Sequence, residues 1–166
     1  MAATASLRRF PHTEPIDLAE VPSLPLAEFR STVIAEVAGS ARLLAFFGRE
    51  VDRLVRLHAV LGYTESGEIS VFTTDLPEDR YPSITPDCPQ AHWFEREIAE
   101  QWGVVPEGHP WLKPIRYHHS YRAGHDAWGR SDSEEILPSE TDFFRMEGPA
   151  IHEVAVGPIH AGVIEP

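Results

Sequence analysis

The chain has 166 residues, enough for one domain with a core of its own, and its 42% hydrophobic and 24% charged content is that of a folded protein. Twenty-six acidic against 14 basic residues give a net charge of −12, which argues against general binding to phosphate backbones or anionic lipid, because the 13 arginines are scattered and Lys113 is the only lysine. The single cysteine, Cys88, excludes an internal disulfide, a zinc knuckle and a four-cysteine iron–sulfur cluster, and with no secretory leader or apolar run of ~18 residues the chain reads as cytosolic.

Residues 1–23 form a proline-punctuated arm without apolar periodicity, expected to be flexible or extended. Leu26, Phe29, Val33 and Val37 then recur at helical spacing, predicting a helix over 24–38 with Ser23 as its cap and Gly39 as its stop. Ala41 to Phe47 reads as a buried strand. Leu54, Arg56, His58 and Val60 share one face of the next run, and Ile69 to Thr74 follows a Glu65-Ser66-Gly67 turn, so three strands make an antiparallel meander. Residues 77–89, with four prolines, connect the halves and carry one short strand near 83–85. A second helix is predicted over 89–102, with Phe94, Ile98 and Trp102 as its apolar stripe and Gly103 as its left-handed stop. Glu95, Glu97 and Glu100 form a solvated acidic face, with Arg96 pairing Glu100 one turn on. The fold class is α+β in two layers: a mixed or antiparallel sheet with helices on one face. The divisions are an arm at 1–23, a domain at 24–115 and a loop-rich extension at 116–166.

Candidate chemistry is sparse. His109, His118, His119, His125 and Asp126 are of the right types for zinc or iron, but their spacing lacks the regularity of a helical ligand pair. A small free-standing metal-dependent enzyme built on the His109–His125 stretch is the alternative reading. Cys88, at a helix start, reads as a packed residue rather than a nucleophile. There is no nucleophile elbow and no glycine-rich phosphate loop, so the residues by themselves assign no catalysis.

The segment Trp93-Phe94-Glu95-Arg96-Glu97-Ile98-Ala99-Glu100-Gln101-Trp102-Gly103, followed by Gly108-His109-Pro110 and Lys113, resembles the signature of the 30-kDa (C) subunit of respiratory complex I. Glu95, Arg96, Glu97, Glu100, Gly103, Gly108, His109, Pro110 and Lys113 match that signature, and Gln101-Trp102 departs from it. The helix–strand–strand–strand–helix order is also similar. The tail, from Asp142 through His152, Glu153, Gly157, Pro158 and His160 to Pro166, looks like the junction in formate-hydrogenlyase-type membrane-bound nickel–iron hydrogenases. There a 30-kDa-like domain is fused to the catalytic large subunit, and this chain would be a truncated or split counterpart.

The resemblance implies an accessory, non-catalytic subunit or domain that docks and scaffolds the large (49-kDa-like or hydrogenase) subunit and the small iron–sulfur subunit. Nickel–iron and iron–sulfur centres or quinone are then expected only in those partners, with no cofactor in this chain. Contact with nucleic acid is not expected. The place implied is the cytoplasmic side of the cell membrane, held peripherally through partner subunits. The tail is expected to be free in a monomer or ordered by self-association. The Glu95–Glu100 helix and the His109–Lys113 loop should meet in one place.

Overall fold

The computed structural model describes residues 7–137 and 148–151. Strand β1 (Phe10–Pro11) is followed by helix α1 (Leu26–Ala38), then by β2 (Arg42–Val51), β3 (Leu54–Tyr63) and β4 (Glu68–Leu76). After these come a short strand β5 (Arg80–Pro82), helix α2 (His92–Trp102) and strand β6 (Val105–Glu107). The main sheet is antiparallel, in the order β1-β4-β3-β2. Its register pairs Leu57 with both Gly48 and Thr74, and Ala59 with both Phe46 and Phe72.

Period-2 alternation decides which side is buried. Val55, Leu57, Ala59 and Leu61 point to one face and are all at most 1% exposed. Phe46, Phe72 and Leu76 join them, and α1 and α2 both pack there, contributing Phe29, Val33 and Ile98. Phe29 meets Phe72 edge-on at 5.1 Å between ring centroids, a favoured aromatic geometry. The two-layer α+β arrangement with helices on one face is the one the sequence indicates. The opposite sheet face is less covered: half-exposed Phe47 stacks flat on His58 at 4.9 Å, and Arg56 grips Asp75 through two hydrogen bonds of 2.6 and 2.8 Å.

Several boundaries differ from the sequence reading. In its described part the arm is laid along the outer edge of β4: Phe10 is buried and pairs with Ile69, and Leu24 N–H donates to the Thr73 carbonyl. Ser23 therefore bridges Thr73 instead of capping α1, whose N-cap position is Pro25. Gly39 ends α1 with ordinary negative φ, and Ser40 takes the left-handed turn at φ 85°. β2 runs through Gly48 to a two-residue hairpin at Asp52-Arg53, both with positive φ, as a tight hairpin requires. Gly48 is needed in mid-strand because a β-carbon there would lie 2.6 Å from Trp102 Cδ1. The short strand falls at 80–82, not 83–85, and pairs in parallel with β6. The second helix opens as a 3-10 turn at Pro89–Ala91 before α2.

Candidate functional site

α2 and the chain folded over it hold all nine matched residues of the signature. Glu95 is fully buried. Its Oε1 accepts from Ile84 N–H at 2.7 Å, and its Oε2 accepts from the Ser83 hydroxyl at 2.6 Å, Thr85 N–H at 3.0 Å and the Thr85 hydroxyl. Residues 83–85 are thus a turn wrapped around a carboxylate, which is why they are not a strand. Glu100 is also fully buried and caps a second loop, accepting from Ile115 N–H at 2.8 Å, Arg116 N–H at 2.7 Å and His118 N–H at 3.3 Å. Buried carboxylates satisfied by backbone donors are charge-assisted anchors.

The acidic helix face is therefore not solvated at Glu95 or Glu100, because two loops close over it. Nor does Arg96 pair with Glu100. Arg96 is 4% exposed; its Nε donates to the Lys113 carbonyl at 2.7 Å and its Nη2 to the Pro114 carbonyl at 2.9 Å. The guanidinium lies between Trp93 and Trp111, 5.0 and 4.7 Å from their ring centroids, and its Nη1 is buried without a partner. Burial pulls its pKa down from 12.5, opposed by nearby Tyr117 and Glu100, yet an arginine stays charged. Glu97 takes the loop donor Arg116 at 3.0 Å.

Helix and loop do meet in one place. His109 fastens the join: Trp111 N–H donates to its Nδ1 at 3.1 Å, so the proton sits on Nε2, which faces the His92 carbonyl at 3.2 Å. Burial lowers the His109 pKa below 6.5 and favours this neutral form. Pro110 follows in an exposed turn, and Gly108 adopts φ 80°. Gly103 closes α2 at φ 66°, and a β-carbon there would collide with the His125 backbone at 2.5 Å. Lys113 leans its ammonium over Trp111, 5.6 Å from the ring centroid.

A second clamp carries no mark in the sequence. Asp79, just before β5, accepts from Arg122 Nη1 at 2.6 Å and pairs with His125 Nδ1 at 2.6 Å. Partial burial raises the Asp79 pKa, but the bonds from Arg122 and His125 outweigh it and hold the carboxyl below its usual range. The histidines of the metal alternative are not brought together. His109 sits against His92, His118 stacks on Tyr121 at 5.2 Å, and His125 belongs to Asp79. Among the described residues there is no group of three or more His, Cys, Asp or Glu placed to hold a metal ion. Cys88 is buried, and that burial pushes its thiol pKa up, the opposite of an activated nucleophile.

Trp93 is 63% exposed, Trp111 52% and Tyr121 64%. They stud the outer surface of this region, and the one signal of it in the sequence is an aromatic residue just ahead of the Glu-Arg-Glu run. A cleft of about 410 Å³ lies elsewhere, between the end of α1 and the β3–β4 turn, with Arg9, Glu36 and Tyr63 in its wall. His152, Glu153, Gly157, Pro158 and His160, and with them the junction reading of the tail, lie outside the described residues. No described helix is long and apolar enough to cross a membrane.

The chain is 44% identical over 48 residues to the C/D subunit of the NADH-quinone oxidoreductase of Nitrosospira multiformis, covering 29% of this chain and 7% of that protein. It is 42% identical over 45 residues to the C subunit of the same enzyme from Ruegeria pomeroyi, covering 27% and 22%. A longer match, 31% over 81 residues, joins it to the C subunit from Salinispora arenicola, covering 48% and 33%. Each alignment thus spans no more than a third of the relative's own length. The family described as "Respiratory-chain NADH dehydrogenase, 30 Kd subunit" matches residues 27–130, from α1 through both loops that α2 anchors. That match takes in more than half of the chain, which therefore belongs to the 30-kDa subunit family of the respiratory-chain NADH dehydrogenase.

Proposed function

We propose that the chain is an accessory, non-catalytic part of a membrane-associated electron-transfer complex, and that it works by docking and scaffolding. The assembly is of the NADH:quinone oxidoreductase type or the related membrane-bound nickel–iron hydrogenase type. The observation that carries this reading is the use made of the signature carboxylates. Glu95 and Glu100 are fully buried and engaged by turn and loop donors. Their oxygens are taken up by the protein's own donors, which stiffens the surface above them.

Its partners in this reading are the large 49-kDa-like or hydrogenase subunit and a small iron–sulfur subunit, which carry the metal centres. Attachment to the membrane is indirect, through those partners on the cytoplasmic side. The hydrogenase branch rests on the sequence of residues 142–166.

The test is purification from native membranes through an affinity tag on this chain. Recovery of stoichiometric large and iron–sulfur subunits, with electron-transfer activity lost when the chain is deleted, is the expected result. A complex that assembles and turns over normally in the deletion strain overturns the proposal.

A further inference from the structure

We propose that the Trp93–Arg96–Trp111–Lys113 surface receives an aspartate or glutamate side chain from a neighbouring protein subunit. The inference rests on the docking reading and names the chemistry of the contact.

The starting observation is a buried cation with no ion-pair partner among the described residues. Ten ion pairs join the described residues, and neither Arg96 nor Lys113 takes part in any of them. The two carboxylates nearest to Arg96 along α2 are already engaged with backbone and hydroxyl donors, and Glu97 is held by Arg116. Arg96 meets only two carbonyl oxygens. Burying a full charge against neutral acceptors is costly, and one donor, Nη1, has nothing to bond.

The cover over that donor is movable. The guanidinium that carries Nη1 lies within 5.0 Å of two indole rings that are themselves half or more exposed, with nothing fixing either indole N–H among the described hydrogen bonds. Turning either ring opens the end of the guanidinium. Beside it stands Lys113, the one lysine of the chain, over the same Trp111 ring. A carboxylate entering there gains Nη1 and the Lys113 ammonium together, beside two aromatic rings. Tryptophan and arginine at the centre of a patch are the residues that carry most binding energy in protein interfaces. A net charge of −12 argues against an anionic lipid surface as the occupant.

Zero-length carbodiimide coupling reads this contact directly, since it joins an amine to a carboxylate only when the two touch. The assembly is purified through a tag on the full chain, treated with carbodiimide, and digested for mass spectrometry. The expected product is an isopeptide between Lys113 and an Asp or Glu of another subunit. It should vanish in Lys113→Arg, which keeps the charge. In Trp111→Ala and Arg96→Gln its yield, and retention of the chain at raised salt, should fall roughly tenfold or more. Trp111 is exposed, so its variant keeps the fold if Arg96→Gln does not.

Co-purification of the chain with its partners but no inter-subunit link at Lys113, with Trp111→Ala retained as wild type, overturns this inference and leaves the docking reading standing. Failure of the chain to co-purify removes both. Binding of the purified chain to phosphatidylglycerol vesicles, abolished by Trp111→Ala, overturns it in favour of a membrane.

Discussion

At the scale of single residues, Glu95 is a fully buried carboxylate that accepts four hydrogen bonds. Glu95→Gln keeps the shape but turns an amide N–H₂ toward donors from Ser83, Ile84 and Thr85. The expected loss is about 2–4 kcal/mol, read as a lower urea midpoint at unchanged slope. Gly48→Ala is a steric counterpart. Its new methyl must displace the Trp102 indole, costing about 1–3 kcal/mol and lowering the melting temperature by roughly 2–4 °C for each of those.

One buried and one partly buried histidine set a pH dependence. His58 and His109 both have folded pKa values lowered from 6.5, each chiefly by burial. A lowered histidine pKa means that the unfolded chain binds protons first. Stability from these two groups is therefore complete above pH 6.5 and lost as pH falls below it. Unfolding free energy measured at steps from pH 7.5 to 5 should decline, and His109→Gln should flatten the decline. A profile as steep in the variant as in the wild type assigns the proton uptake elsewhere.

Among the elements, α2 is clasped by the short strands on either side of it. Ser83 N–H donates to the Glu107 carbonyl and Val105 N–H to the Asp79 carbonyl, closing residues 79–107 into a loop around the helix. Hydrogen exchange should show the amides of Ser83, Ile84, Thr85 and Val105 opening with those of α2 as one unit. Glu95→Gln should speed all of them while leaving Leu57 and Phe72 in the main sheet slow. Independent rates for the strands and the helix would mean that the clasp is not cooperative.

This element also marks how far sequence reasoning reaches. The spacing of Phe94, Ile98 and Trp102 identifies the inward stripe, and Gly103 the left-handed stop, because both depend only on helix geometry. The Arg96–Glu100 pairing fails for a reason that spacing cannot reveal. Two residues one turn apart on a helix pair only when nothing better reaches them, and here loops 15 to 18 residues downstream do. The burial of Glu95 is hidden likewise, since Ser83 and Thr85 look like ordinary connector residues until the 83–85 turn is folded. The Asp52-Arg53 hairpin carries no Asn-Gly or Asp-Gly mark, so the sequence ends the strand at Phe47 while β2 continues to Val51.

At the scale of the whole molecule, the meander and its one covered face are readable because alternation from Val55 to Leu61 admits only one register facing a core. The fate of residues 7–25 is not. Prolines 11, 22 and 25 leave room for no more than the 3-10 turn at Leu18–Glu20 but permit edge pairing on either side of it, and the choice is made by an unsatisfied rim on β4, which is a tertiary fact.

That rim gives the sheet a valence of one. With residues 10–11 and 22–24 laid along β4, the outer side of β2 is the remaining free rim of the main sheet among the described residues, and even there Leu43 N–H is stopped by the Gln90 side chain. Units that each offer one sticky end can pair about a two-fold axis, and the pair then has no end left to grow from. The segment on β4 works as a chain stopper in the polymer sense. Sedimentation at rising concentration should accordingly reveal monomer and at most dimer. Deleting residues through Leu24, which removes both covering segments, should restore a second sticky end, and with it species larger than a dimer.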